Sequence, residues 1–237
     1  MKVAIIFAAG SGTRLRPLTH EIHKSLIKFN DVPLIEHTIN NLLQVPELTK
    51  IIVITGYLAN DFKYLTIKYS NLTLVHNKYY LDYDSGYALK LVAKYFDGNS
   101  DIFIISGDMV STINHFNHEF DTNVMVGVTR DDNDKKDDWT YELSSDGNII
   151  DIIKSHDANS LLAGEWSYVN KLWAKKLGQD LHDPEQVLVL KTTMVGKYLI
   201  NNSIKHHMIL KSYVLDFNSH WDIDNIKDLE RTNKYFK

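Results

Sequence analysis

The chain opens with Met-Lys-Val-Ala-Ile-Ile-Phe-Ala-Ala-Gly-Ser-Gly-Thr-Arg-Leu-Arg-Pro, residues 1–17. Residues 3–9 form a short apolar run rich in Val and Ile, which is typical of a buried strand. The run stops at Gly10-Ser11-Gly12, a turn in which the backbone can approach another group closely. Consecutive N–H groups in such a turn form an anion-binding concavity, and Thr13 and Arg14 add further donors. The stretch therefore indicates a site for a phosphate chain.

The two glycines alone are also compatible with an ordinary βα turn that binds nothing. The stretch is not a Walker A loop, because no Gly-Lys-Ser/Thr ending follows it. It is not the dinucleotide fingerprint either, because Leu15 occupies the position of the third glycine.

The longer string of residues 8–19, followed by Lys24, resembles the signature of the nucleotidyltransferases that make NDP-sugars and CDP-alcohols. In that family the loop wraps the triphosphate of an NTP, and the lysine neutralises phosphate charge. The resemblance implies catalytic roles for Lys24 and Arg14. It also implies nucleotide-binding roles for Ala8, Ala9, Gly10, Ser11, Gly12, Thr13, Arg14 and Lys24. His23 is a departure, since the family usually has proline before this lysine.

Length and composition limit the possible functions. The 237 residues suit one domain, or one domain with a modest extension. The net charge of −4 gives no electrostatic footprint for nucleic acid, and the absence of Cys excludes disulfides and thiolate zinc sites. The sequence shows no signal peptide and no apolar run of about eighteen residues. We therefore expect a cytoplasmic protein without a membrane span. The sequence is compatible with a homodimer.

Strand and helix patterns alternate through the first half, with strands at 3–9, 50–55, 73–76 and 101–106 and helices at 33–45, 59–69 and 85–96. This alternation predicts an α/β fold, a Rossmann-like three-layer sandwich with a mostly parallel central sheet. Ligands bind at the carboxyl ends of the strands in such sheets. The loop after Ala9, the turn at Gly56 and the Gly107-Asp108 pair should therefore share one edge.

The second half has a different pattern. Residues 131–138 are a charged run, for which a solvated loop and a lid over the substrate are both open. Asp146-Gly147 predicts a β-hairpin, the core of a small antiparallel insertion on the substrate side. Further strands are expected at 163–169 and 208–215, with helices at 171–177, 185–199 and 226–236. We expect one nucleotidyltransferase domain over 1–237, with a nucleotide-binding half (1–130) and an acceptor half with the C-terminal helix (131–237).

Two acidic positions are candidates for a metal site. Asp108 follows a buried strand and a glycine, where a carboxylate either caps a turn or binds a hard cation such as Mg²⁺. Asp222 and Asp224 would project to the same side of a strand, so the residues alone do not choose between them. The resemblance implies Mg²⁺ on Asp108 and Asp224, with Asp222 as the alternative.

The segment Asp84-Ser85-Gly86-Tyr87-Ala88 opens a predicted helix. The family places small residues here against the nucleobase and ribose, which implies nucleotide-binding roles for Ser85, Gly86 and Ala88. Ser85 is equally compatible with a helix N-cap.

The segment after the hairpin bears on the choice of acceptor. The sugar-nucleotide enzymes typically carry Glu-Lys-Pro there and are usually longer, whereas this chain has Ile153-Lys154-Ser155-His156. The resemblance is greater to the small cytidylyltransferases that activate phosphocholine. It implies transfer of a cytidylyl group from CTP to a small phosphorylated alcohol, with release of pyrophosphate. The alternatives are a sugar-1-phosphate enzyme using UTP or dTTP, and a non-catalytic nucleotide-binding module of the same fold.

A choline group is attracted to aromatic ring faces. Trp139, Tyr141, Trp166 and Trp221 are therefore candidates for an acceptor pocket, and core packing is the alternative for each of them. Trp139 resembles the choline-pocket tryptophan of the phosphocholine enzymes in its position, and Asp138 or Glu142 would add carboxylate attraction.

Overall fold

The structure is a computed structural model that describes residues 1–129, 138–155, 157 and 160–235, the last three of these by their backbone only. Residues 131–137 of the charged run, His156 and Phe236 lie outside the described residues. None of the helices in the described part of the chain is long and apolar enough to cross a bilayer.

The described strands are β1 Lys2–Ala8, β2 Lys28–Phe29, β3 Val32–Pro33, β4 Leu48–Thr55, β5 Leu72–His76, β6 Asp101–Ser106, β7 Met109–Ser111, β8 Asn123–Val128, β9 Asp138–Leu143, β10 Ile149–Ser155, β11 Leu162–Val169, β12 Leu210–Leu215 and β13 His220–Asp222. The α-helices are α1 Leu34–Leu42, α2 Lys63–Lys68, α3 Tyr87–Leu91, α4 Lys171–Asp180, α5 Pro184–Leu190, α6 Val195–Lys205 and α7 Ile226–Tyr235. The predicted α/β class, with a mostly parallel sheet and smaller antiparallel parts, is confirmed.

The chain divides into two compact units. The first contains Met1–Asp82, Ile104–His118 and Asn218–Lys237, and the second contains Tyr83–Phe103 and Glu119–Phe217. The expected single domain with halves at 1–130 and 131–237 stays a prediction.

The first unit is built on parallel strands in the order β1, β4, β5, with β1 and β4 paired from Lys2–Leu48 to Ala8–Thr55. The central residues of β1 and β4 are fully buried, as expected for strands covered on both faces. The strand ends meet as predicted: Tyr57 N donates to Ala9 O at 3.0 Å, and Gly107 N donates to Phe7 O at 2.9 Å. A Cβ at Gly56 would lie 2.7 Å from Ala9 O, so this crowded edge requires glycine.

A second, two-stranded ladder in the first unit was not predicted. Strand β7 pairs antiparallel with β13, in the register His220–Ser111, Trp221–Val110 and Asp222–Met109. Val110 and Trp221 pack with Ile223 in one buried cluster that also contains Leu15, Ile27, Phe29 and Leu34. The ladder is thereby packed against Leu15, which follows the glycine-rich loop.

The second unit contains the predicted hairpin, formed by β9 and β10. Gly147 has φ +74°, and Ser144 N and Gly147 N close the turn with backbone hydrogen bonds. Strand β11 pairs antiparallel with β8 and β9, and β12 pairs parallel with β8.

Three helix predictions were wrong in part. Residues 185–199 form two helices, α5 and α6, because the chain turns at 191–194 and uses the carbonyls of Lys191 and Thr193 to accept hydrogen bonds from Asp84 N and Gly86 N. The predicted helix 85–96 is the short α3 followed by a 3₁₀ turn. The predicted helix 59–69 is a 3₁₀ turn, Ala59–Phe62, followed by the short helix α2.

Candidate active site

The glycine-rich loop after β1 has a backbone that only glycine adopts readily. Gly12 lies in the left-handed region with φ +59°, and a Cβ there would approach Thr19 Cγ2 and Lys24 Cβ at 3.1 and 3.2 Å. Its carbonyl accepts hydrogen bonds from Leu15 N at 3.0 Å and Thr19 Oγ1 at 2.8 Å. At Gly10, by contrast, a Cβ would meet nothing within 4 Å among the described residues, so this peptide borders open space.

The open space is a cavity of about 230 Å³ within the first unit. Its lining brings together eight of the residues that the sequence predicted, namely Ala8, Gly10, Gly12, Thr13, Arg14, Lys24, Asp108 and Asp224. Phe7, His23 and Ser25 complete the lining. Residues 200 positions apart in the sequence therefore share one cavity at the carboxyl end of β1.

Lys24 lies at the centre of an ion-pair network. Its ammonium contacts Asp108 Oδ2 and lies 2.5 Å from Asp224 Oδ1. The side chains of Lys24 and Asp108 are each 13% exposed, so the charges are only weakly screened. Burial lowers the pKa of Lys24, but the carboxylates of Asp108, Asp222 and Asp224 outweigh it and hold the pKa above its usual range. The lysine is therefore charged at any physiological pH.

Asp224 is held from both sides by cations. Arg14 Nη1 lies 2.5 Å from Asp224 Oδ2, while Lys24 takes the other oxygen. Burial raises the pKa of Asp224, but Lys24 and Arg14 reverse this and leave the pKa below its ordinary value. The two basic residues predicted to hold phosphates are thus paired with acidic residues predicted to hold a metal.

The start of α7 fixes the backbone beside Asp224. Asn225 Oδ1 accepts hydrogen bonds from Lys227 N and Asp228 N, and Asp228 Oδ2 accepts from Asn225 N and Asp224 N. This is the reciprocal pattern of a capping box. Asn225 therefore caps the helix, and the carboxylates of Asp222 and Asp224 are not needed for that purpose.

The acidic residues fit a hard divalent cation. Asp108 Oδ1 is buried and has no hydrogen-bond partner within the described ranges. A carboxylate oxygen of Asp222 lies within 4.8 Å of one of Asp108. Mg²⁺ prefers such carboxylate oxygens, and a buried acceptor without a donor is costly unless a cation or water satisfies it. This arrangement places a carboxylate of Asp222, the alternative to Asp224 as a metal ligand, within reach of a cation bound to Asp108.

His23 is a site residue that sequence reasoning missed. Its Nδ1 accepts a hydrogen bond from Ser25 N at 3.0 Å, which caps the short 3₁₀ turn Lys24–Leu26. Its ring packs edge-on to Phe62 with centroids 4.8 Å apart. Burial lowers the pKa of His23 to about 4, although Asp108 opposes this. A neutral imidazole therefore orients the turn that carries Lys24, and the capping pattern His23-x-Ser25 was the available signal.

The residues expected to contact the base lie in the second unit. Ser85 Oγ accepts a hydrogen bond from Val195 N at 3.0 Å, and Gly86 N donates to Thr193 O at 3.1 Å. A Cβ at Gly86 would lie 2.4 Å from Thr193 O, so glycine is required by this close approach. Ala88 is buried in α3.

One of the four aromatic candidates for the acceptor pocket, Trp221, is buried in the core cluster that contains Leu15, and the other three differ in exposure. Tyr141 is buried, and its hydroxyl donates to Val126 O at 3.0 Å. Trp166 is buried within an aromatic cluster that includes Phe120 and Tyr213. Trp139 is 40% exposed, and the Lys154 ammonium lies 5.4 Å from its ring centroid. Of the three, Trp139 presents a ring that a ligand can reach in this structure.

Comparison with known proteins identifies the family of the chain. Residues 3–136, more than half of the chain, match the family model described as nucleotidyl transferase. The chain is 32% identical over 247 residues to the choline-phosphate cytidylyltransferase of Streptococcus pneumoniae, which covers 99% of this chain and 98% of that protein. It is 33% identical over 181 residues to the 2-aminoethylphosphonate cytidylyltransferase of Lancefieldella rimae, covering 76% and 72% of the two chains.

A solved structure agrees over the full length. The CTP:phosphocholine cytidylyltransferase from Streptococcus pneumoniae superposes on 100% of this chain and 99% of its own, with a TM-score of 0.85 and 30% sequence identity. The family match and the full-length similarity show that this chain belongs to the nucleotidyl transferase family of enzymes.

Proposed function

We propose that this enzyme transfers the cytidylyl group of CTP to phosphocholine, forming CDP-choline and pyrophosphate. The observation that carries the proposal is the cavity in which Lys24 and Arg14 meet the carboxylates of Asp108 and Asp224 beside a glycine-rich loop. The full-length similarity to a choline-phosphate cytidylyltransferase selects the acceptor. Because CTP is a cytoplasmic nucleotide, the proposed reaction belongs to the cytoplasm.

The proposed reaction needs charge neutralisation more than proton transfer. A phosphate oxygen of phosphocholine attacks the α-phosphorus of CTP, one P–O bond forms, and the bond to the pyrophosphate oxygen breaks. The attacking phosphomonoester is already ionised, so no general base is needed. Both reactants are anionic, so positioned cations supply most of the stabilisation.

The basic residues have distinct roles in this proposal. The N–H groups of residues 10–12 and the side chains of Thr13 and Arg14 hold the β- and γ-phosphates. Lys24 holds the α-phosphate and stabilises the charge that develops there. Arg14 is exposed over 69% of its side chain and is free to turn toward a ligand, whereas Lys24 is largely buried.

The acidic residues are the proposed ligands of Mg²⁺, through Asp108 and Asp224, with Asp222 as the competing ligand. When bound, Mg²⁺ neutralises phosphate charge and aligns the reacting groups. Phosphates would replace Asp108 and Asp224 as partners of Lys24 and Arg14, which makes both carboxylates available to the metal.

The remaining roles lie in the second unit. Ser85, Gly86 and Ala88 are proposed to contact the base and ribose, and Trp139 is proposed to contact the quaternary ammonium of choline. The burial of Tyr141 and Trp166 favours a supporting role in the core for these two residues.

A substrate panel tests the proposal. The enzyme is incubated with Mg²⁺, each of CTP, UTP, dTTP, ATP and GTP, and each of phosphocholine, phosphoethanolamine, 2-aminoethylphosphonate and glucose 1-phosphate, and pyrophosphate release is measured. We expect the highest kcat/KM for CTP with phosphocholine. A higher kcat/KM with 2-aminoethylphosphonate would identify that compound, rather than phosphocholine, as the acceptor. Turnover of glucose 1-phosphate with UTP or dTTP would overturn the proposal.

A further inference from the structure

The β7–β13 ladder lies directly beside the proposed metal ligands. Asp108 immediately precedes β7, and Asp222 is the last residue of β13. The ladder continues past its last pair, since Ile223 N donates to Asp108 O at 3.1 Å. The position of the whole segment 222–224 relative to Asp108 is therefore set by the register of these two short strands.

A partly buried side-chain hydrogen bond joins the other end of the ladder. Ser111 Oγ and His220 Nδ1 are 2.7 Å apart, and these two residues are directly opposite each other in the register. His220 is 4% exposed. Because side chains alternate along a strand, Ser111 and His220 lie on the same face of the ladder as Met109 and Asp222.

In so short a ladder, a specific contact such as this hydrogen bond is needed to hold the register of the two strands. Each strand has three residues, and a slip of one residue would turn Asp222 to the opposite face. Val110 and Trp221 hold the opposite face in the core, but apolar packing is less directional than a hydrogen bond at 2.7 Å. The Ser111–His220 bond lies two residues along each strand from the acidic end, roughly 7 Å away by strand geometry.

We propose that Ser111 and His220 are positioning residues that hold the segment Asp222–Asp224 at metal-binding distance from Asp108. The inference rests on the proposed metal site, and it adds two residues that contact neither phosphate nor metal. Loss of their bond loosens the register at the acidic end and weakens metal binding, while the loop that holds the triphosphate stays intact.

Binding of Mn²⁺ to the enzyme–CTP complex, followed by electron paramagnetic resonance without acceptor, tests the proposal. We expect Ser111→Ala to raise the Mn²⁺ dissociation constant about five-fold, the equivalent of one net hydrogen bond. CTP binding without metal should change less than two-fold. Ser111→Thr, which keeps the hydroxyl, should restore Mn²⁺ affinity.

The matched control is Thr112→Ala, which removes a longer hydrogen bond, 3.4 Å to Ser219 O, between the residue that follows β7 and the residue that precedes β13. It should leave the Mn²⁺ affinity unchanged. If Ser111→Ala does not fold, His220→Leu removes the same bond from the other strand and is expected to give the same five-fold loss.

Wild-type Mn²⁺ affinity in a folded Ser111→Ala or His220→Leu variant with a lowered Tm would overturn the inference, because the pair would then be merely structural. Absence of Mn²⁺ binding by the wild-type complex would overturn it together with the proposed metal site. Mn²⁺ binding with the expected losses, but without turnover of phosphocholine, would support the inference and overturn only the proposed substrate.

Discussion

Replacing Lys24 by Met is expected to lower the stability of the fold and to make that stability respond more strongly to a divalent cation than in the wild type. Met keeps the unbranched stem and removes the ammonium that contacts Asp108 and Asp224. Those two carboxylates and Asp222 all act on Lys24, so the variant removes the cation that the three carboxylates share, and Asp224 keeps only its ion pair with Arg14. A divalent ion then binds without having to displace an ammonium group.

The magnitude follows from the burial of the pairs. Removing one partner of a buried ion pair costs roughly 3–5 kcal/mol, and the side chains here are 13–23% exposed, so we expect the lower end, about 3 kcal/mol. For a chain of this size that corresponds to a fall in Tm of roughly 6–12 °C. Millimolar Mg²⁺ should recover much of this loss, because a ligand of the native state stabilises it by mass action.

The pH dependence has a definite sign. The lowered pKa of Asp224 contributes stability above the unfolded value near 3.9, and this contribution is lost as the pH falls through the folded pKa. The raised pKa of Lys24 contributes below its unfolded value near 10.4 and is lost at higher pH. The difference in the free energy of unfolding between wild type and variant should therefore have its largest value between about pH 5 and 10 and should decrease outside that range.

Thermal unfolding with and without 10 mM MgCl₂ measures both effects. Lys68→Met is the matched control, because it removes the ion pair of Lys68 with the buried Glu36 in the same unit. The control should lose stability without recovering it in Mg²⁺. Equal Tm values for wild type and Lys24→Met, or equal Mg²⁺ responses of the two Lys→Met variants, would refute the account of this network.

Three further predictions concern the metal ligands, the buried histidine and the close approach at Gly86. Asp108→Asn should lower kcat/KM roughly 100-fold at saturating Mg²⁺. Asp224→Asn should raise the Mn²⁺ dissociation constant more than Asp222→Asn does. If Asp222→Asn has the larger effect, Asp222 is the metal ligand instead of Asp224. Since the pKa of His23 is lowered to about 4, the native state should lose about 3 kcal/mol of stability as the pH falls from 6.5 to 4. His23→Asn keeps an acceptor for Ser25 N, so urea unfolding of this variant should show a shallower decline of stability with falling pH. A pH profile identical to that of the wild type would contradict this. Gly86→Ala should lower stability by roughly 1–3 kcal/mol and raise the KM for CTP, because the new Cβ would lie 2.4 Å from Thr193 O. An unchanged stability together with an unchanged KM for CTP would contradict the proposed contact with the base.

Several features were predictable because they depend on local sequence. The apolar run before Gly10 specified β1, and the Asp146-Gly147 pair specified the β9–β10 hairpin through a turn that favours glycine at positive φ. Alternating strands and helices specified a parallel sheet, so the Gly56 and Gly107 turns were correctly expected at the edge that carries the loop.

Other features depend on contacts distant in sequence and gave no local signal. Strands β7 and β13 have three residues each and lie more than 100 positions apart, so neither shows a periodicity that could be recognised. The break between α5 and α6 is fixed by hydrogen bonds to the segment 84–86, which helix periodicity does not encode. The ion pairs of Lys24 with Asp108 and Asp224 could be recognised only in the folded structure, although the sequence had already indicated all three residues as site residues.

In the proposed reaction, a phosphate oxygen of the acceptor attacks the α-phosphorus of CTP. This step is tested most directly with phosphocholine labelled with ¹⁸O in its phosphate, incubated with CTP, Mg²⁺ and the enzyme, and followed by ³¹P NMR and mass spectrometry. We expect CDP-choline that retains the label, including the bridging oxygen, and pyrophosphate that contains none. Labelled pyrophosphate, or no CDP-choline from a folded enzyme that binds CTP, would contradict it.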